Sequence, residues 1–141
     1  MTSNESLADK FIVVVDDEEP ILNSMRTLLE QWRCTVVTAV SAHDAVSKLH
    51  RSTRVPDALV CGCGLGADGN SMDMIDVLRD EFNHEIPALV MTNYATSESI
   101  KETLSSGFPV LSKPVQATIL HEVLVQVIGN VHTTEQRLVS V

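Results

Sequence analysis

The feature that most constrains this chain is the run Phe11-Ile-Val-Val-Val15, which meets Asp16-Asp17-Glu18-Glu19-Pro20 without a spacer. Five apolar residues in a row, three of them valine, suit a strand buried on both faces, as in the middle of a parallel sheet. Four acids then stand at its carboxyl end, the edge at which open α/β sheets bind ligands. Carboxylates gathered there can seat a hard, oxygen-seeking cation such as Mg2+. They can equally do no more than complement the dipole of a helix whose first turn suits Pro20.

The rest of the chain supplies the helices such a sheet requires. Residues 1–9 are polar and are expected to fray. Ile21, Leu22, Met25, Leu28, Leu29 and Trp32 recur at helical spacing, and residues 34–40 form a second strand. Ser41 suits an N-cap with Asp44 three residues on, opening a short helix through Ala42, Ala45, Val46 and Leu49. Pro56 precedes a third strand at 57–61, and residues 62–70 hold four glycines in a loop. Ser71 is expected to cap a helix carrying Met74, Ile75, Leu78 and Phe82. A fourth strand follows at 86–91, then a weakly patterned helix over 96–106 ended by Gly107. A fifth strand spans 109–111. The stripe Ile119, Leu120, Val123, Leu124, Val127 and Ile128 marks a last helix closed by Gly129, with 130–141 as a loose tail. Five strands alternating with five helices make a (βα)5 doubly wound parallel sheet, with one domain over 10–129.

Charge narrows the partners. A net charge of -9 and a pI near 4.8 argue against nucleic acid, which is held through Lys and Arg contacts to phosphates. An acidic surface favours protein partners with basic patches. No apolar run approaches the roughly 20 residues of a membrane span, and the first ten residues lack the apolar centre of a signal peptide. The expected setting is cytoplasmic, without membrane insertion. Cys34, Cys61 and Cys63 form no C-x-x-C pair, so reduced thiols filling the core are expected.

Asp16-Asp17 after the first strand, Thr92 closing the fourth, Lys113-Pro114 after the fifth and the five-unit alternation together resemble the receiver domain of bacterial two-component signalling. The runs Pro56-Asp-Ala-Leu-Val60, Ser71-Met-Asp-Met-Ile-Asp-Val-Leu-Arg79 and Ser106-Gly-Phe-Pro-Val-Leu-Ser-Lys-Pro114 look most like receivers of hybrid sensor histidine kinases. The resemblance implies a flavodoxin-like fold with strand order 2-1-3-4-5. It also implies that Asp17 binds Mg2+ directly, Asp16 binds it through water, and the backbone carbonyl of Gly64 completes the protein ligands. Thr92 and Lys113 would hold the phosphoryl oxygens.

The family's acceptor aspartate should fall six residues after Pro56, where this chain has Gly62. Asp57 lies about five residues, or about 16 Å, back along the strand, and Asp68 is deep in the loop. Phosphoryl transfer needs a carboxylate nucleophile, a metal and cationic partners, and Gly62 removes the first together with one metal ligand. Mg2+ binding should then be weak or absent, and Lys113 should turn to Asp16 or Asp17. The aromatic switch three residues before the lysine is Val110 here.

The expectation is a pseudo-receiver, not an enzyme, acting on a histidine kinase or another signalling protein through roughly residues 95–125. One alternative is a phosphorelay receiver of a hybrid kinase, phosphorylated at a non-standard residue or carrying Gly62 as an introduced substitution. A second alternative is dinucleotide binding, since Gly62-Cys-Gly-Leu-Gly-Ala67 fits G-x-G-x-x-G/A. That fingerprint belongs after the first strand and turns straight into a helix, whereas Asp68-Gly69-Asn70 prolong the loop.

Overall fold

The structure, a computed structural model, describes residues 7–50, 52–63, 71–92 and 107–140. Strands β1 (Phe11–Val15), β2 (Thr35–Ala39), β3 (Ala58–Cys63), β4 (Ala88–Thr92) and β5 (Val110–Ser112) form one parallel sheet in the order 2-1-3-4-5. Helices α1 (Glu19–Gln31), α2 (Ala42–Leu49), α3 (Ser71–Phe82) and α4 (Ala117–Ser140) accompany it. The helix expected over 96–106 lies outside the described residues. Gly107, expected to end it, has φ of 90°, in the region that glycine enters without steric cost.

Strand alternation divides β1 between two cores. Ile12 and Val14 pack with Leu22, Met25 and Leu29 of α1 and Leu120 and Leu124 of α4. Phe11, Val13 and Val15 pack on the other face with Leu49 of α2 and Ile75 and Leu78 of α3. All five β1 residues are buried, each such side chain contributing about 1.5–3 kcal/mol. Cover on both faces is why the run is apolar throughout.

Local chemistry fixes the element ends. Ser41 Oγ accepts from the Asp44 amide at 3.0 Å, while Asp44 Oδ2 accepts from the Val40 amide at 3.0 Å. Ser41 is the expected N-cap, and Asp44 returns a bond as in a capping box but to the amide one residue earlier. The Val40 amide, ahead of the neighbouring Lys48, holds the Asp44 carboxyl below its ordinary range. Asp57 ties the start of β3 to β1: its Oδ2 accepts from the Phe11 amide at 2.7 Å and its amide donates to Phe11 O at 2.7 Å.

Four boundaries differ from the sequence reading. Residues 7–9 are not frayed: Leu7 is fully buried, its carbonyl accepts from Cys34 Sγ at 3.5 Å, and the Asp9 amide donates to Arg33 O at 2.9 Å. β3 continues through Gly62 to Cys63, because both stay in register with β4 opposite Met91 and Thr92. Ser71 is already helical within α3 rather than its cap. α4 runs past Gly129 to Ser140 instead of giving way to a loose tail. Gly129 has open space where a side chain would stand, and a glycine inside a helix costs only about 1 kcal/mol.

Candidate functional site

β1 and β3 stop side by side, and the site is built where they end. Val15 is in register with Cys61, so Asp16 and Gly62 come next on their strands. Alternation places both on the face of Val14 and Val60, toward α1 and α4. Asp16 is 1% exposed. Its Oδ1 accepts from the Glu18 amide at 2.8 Å, an Asx-type turn that leads the chain into α1. Its Oδ2 fills the space above Gly62. A Cβ at position 62 would stand 2.0 Å from that oxygen, 2.6 Å from Asp16 Cγ and 3.1 Å from Asp16 Cβ.

Lys113 reaches the same carboxylate from the end of β5. Its amide donates to Thr92 O at 2.8 Å, and the Lys113–Pro114 peptide is cis. Its Nζ lies 2.7 Å from Asp16 Oδ2 and 3.1 Å from Glu18 Oε2, with the lysine side chain 4% exposed. The Glu18 contact is a hydrogen bond. The Asp16 contact is a close ion pair, and Oδ2 has no hydrogen bond of regular geometry. Burial pulls the Lys113 ammonium down, but pairing with Asp16 and Glu18 outweighs it, and the pKa stands above its ordinary value.

The expected turn of Lys113 toward Asp16 or Asp17 is thus present at Asp16, and Glu18 joins as a further partner. Asp16 pairs with it and so does Glu18, whereas Asp17 is exposed. Glu18 stood in the sequence only as one of four clustered acids, not as a partner for the lysine. Its signal was position, two residues after an aspartate that turns the chain. Thr92 is buried at the end of β4, in register with Cys63 on one side and Ser112 on the other. Val110 is half-buried opposite Val90 on β5. Gly64 lies outside the described residues. Cys34 and Cys61 are free, buried thiols, pushed up by burial to about 11 and about 12. They are core fillers, as expected.

Carboxylate oxygens of Asp16, Asp17 and Glu18 lie within 4.8 Å of one another. Mg2+ demands a near-octahedral shell of oxygens. Here an ammonium already stands against two of those three carboxylates, the Glu18 amide uses the other Asp16 oxygen, and residue 62 supplies no side-chain oxygen. The donors as arranged do not fit an octahedral ion. The glycine fingerprint begins inside β3, beside this acid pocket, rather than after β1.

A doubly wound sheet in the order 2-1-3-4-5 is a flavodoxin-like fold, here with acids and a lysine meeting at the carboxyl ends of β1 and β5. A family model described as the response regulator receiver domain matches residues 12–125, and the chain belongs to that family. It is 30% identical to the transcriptional regulatory protein ZraR of Salmonella typhimurium over 132 residues, covering 92% of this chain and 29% of that protein. The chain therefore spans about three-tenths of that relative's length. An uncharacterized 14.6 kDa protein in the sodA1 3'region of Leptolyngbya boryana is 33% identical, with 79% of this chain and 84% of that protein covered. Among solved structures, a receiver domain from Clostridium thermocellum superposes with TM-score 0.74 at 21% identity, covering 89% of this chain and 98% of that one. The BeF3-activated DrrB receiver domain gives TM-score 0.70 at 20% identity, covering 86% and 98%. The chain is thus a receiver domain of two-component signalling, with the acidic cluster where such domains bind Mg2+. Among the described residues no helix is long and apolar enough to cross a membrane.

Proposed function

We propose that this domain is a pseudo-receiver, a member of the family that signals through protein contacts without carrying an aspartyl phosphate. One observation carries the reading. Where the family's acceptor would extend its side chain, this chain has Gly62, and the Oδ2 of Asp16 stands 2.0 Å from where the missing Cβ would be. The nucleophile is absent and its volume is taken. Lys113, the expected partner of the acceptor, is spent on Asp16 and Glu18. The half-buried Val110 in place of an aromatic switch residue supports the same conclusion.

In this reading the domain is not an enzyme, binds Mg2+ weakly, and works in the cytoplasm on a histidine kinase or another signalling protein. The contact surface is placed by family analogy at residues 95–125, of which 107–125 are described. The test is intact-mass measurement after incubation with a small phosphodonor and Mg2+. The expected spectrum shows only the unmodified chain. A stoichiometric phosphoryl adduct, at any residue, would overturn the proposal.

A further inference from the structure

We infer that the Lys113 ammonium is the resident cation of this pocket, a tethered occupant that keeps divalent metal ions out. The inference deepens the proposed function and rests on its reading of residue 62 as offering no carboxylate. A buried carboxylate is costly unless a positive charge stands against it. Asp16, 1% exposed, has that charge from Lys113 Nζ at 2.7 Å, and the same ammonium holds Glu18 Oε2 at 3.1 Å. It therefore stands against two of the three carboxylates whose oxygens converge within 4.8 Å.

The second observation is the state of Asp16 Oδ2. This oxygen is buried and has no well-directed hydrogen bond, which suits an atom answered by charge rather than by a directed donor. A magnesium ion held by these acids would need this oxygen either directly, at about 2.1 Å, or through a bound water, and Nζ already lies 2.7 Å from it. Two cations cannot share the same side of one oxygen, and Lys113 is covalently attached while the metal ion must be drawn from solution. Its amide is fixed to Thr92 O at 2.8 Å and its side chain is 4% exposed, so it has little room to withdraw. The ends of β1 and β5 are thereby joined by a cation that comes with the chain. The pocket's closed arrangement does not depend on metal supply.

The test titrates the full chain and its Lys113→Met variant with MgCl2 by calorimetry, and follows the thermal unfolding midpoint with and without millimolar Mg2+. Wild type is expected to bind only weakly, without reaching saturation at millimolar Mg2+. Lys113→Met, which removes the competitor and releases the acids, is expected to bind at least about tenfold more tightly, with a midpoint that rises with Mg2+. Wild type binding as tightly as the variant overturns the inference. So does a folded variant that fails to bind, because the acids would then not be a metal set held shut by the lysine.

Should the variant not fold, the 1H–15N resonance of the Lys113 ammonium in wild type decides the matter. A protected signal unmoved by Mg2+ is expected, and saturable loss or shift of that signal overturns the inference. Phosphodonor labelling tests residue 62 separately. A wild type that stays unlabelled yet reaches saturation at millimolar Mg2+ defeats this inference alone, whereas a labelled wild type defeats the reading beneath it.

Discussion

Replacing Gly62 with alanine adds one methyl group, and the structure says where it lands: 2.0 Å from Asp16 Oδ2 and 2.6 Å from Asp16 Cγ. Gly62 sits in regular strand opposite Met91, so alanine is acceptable to the backbone. On its own it would add about 0.4–1 kcal/mol by restricting the unfolded chain. To admit the methyl group, however, Asp16 must rotate. Rotation breaks the 2.7 Å ion pair with Lys113 and the 2.8 Å bond from the Glu18 amide. Removing one partner of a buried pair costs about 3–5 kcal/mol. Lys113 keeps Glu18 here, so about 2–4 kcal/mol is the better figure. The net expectation is a loss of about 1–3 kcal/mol.

Urea unfolding of wild type, Gly62→Ala, Asp16→Ala and the double variant measures it. With Asp16 cut back to alanine the colliding oxygen and Cγ are gone, leaving only the 3.1 Å approach of the two Cβ atoms. Most of the penalty should then vanish, giving a coupling of about 1–3 kcal/mol between the sites. A Gly62→Ala variant as stable as wild type would refute the reasoning. So would a penalty that persists undiminished beside Asp16→Ala.

Other consequences can be checked with the same unfolding assay. Leu7→Ala should cost about 2–4 kcal/mol, because Leu7 is fully buried in the core beneath α1 and α4; a change near zero would restore the frayed terminus. Arg79 donates through Nε and Nη2 to Ile86 O at 2.9 and 2.8 Å and lies 5.1 Å over the Phe108 ring, so Arg79→Ala should cost about 1–3 kcal/mol, with lysine recovering only part. Stability should fall on alkalinisation. The Cys34 and Cys61 thiols, raised from 9.0 to about 11 and about 12, stay neutral in the fold but ionise in the unfolded chain above their ordinary value. Each then removes about 1.4 kcal/mol per pH unit until its folded pKa is passed. Lys113, raised above 10.5, acts in the same direction: its contribution is whole below that value and lost as pH rises through the folded one. A flat profile from pH 9 upward would contradict both attributions.

The sheet was legible because its physics is periodic. Phe11–Val15 is apolar throughout and the helices repeat their apolar residues at helical spacing, so layer order and cover followed directly. The Asp16–Lys113 pair was legible for another reason, since a buried lysine deprived of its partner must find another carboxylate. What escaped were features without a pattern. Leu7 is a single apolar residue in a polar segment, and nothing local announces that it reaches the core. The extension of β3 through Gly62 depends on pairing with Met91, a tertiary fact that overrides glycine's preference for turns. Glu18 joins Asp16 against the lysine because the Glu18 amide donates to Asp16 Oδ1 at 2.8 Å, which sets the direction in which residue 18 leaves the strand.

In the proposed pseudo-receiver the pocket has lost its acceptor and is closed by its own lysine. Beryllium fluoride with Mg2+ probes both halves at once, because this phosphoryl mimic needs an acceptor carboxylate and a bound metal together. Amide spectra recorded with and without the two reagents should superpose at Asp16, Gly62, Thr92 and Lys113. Saturable shifts confined to those four positions would contradict the account.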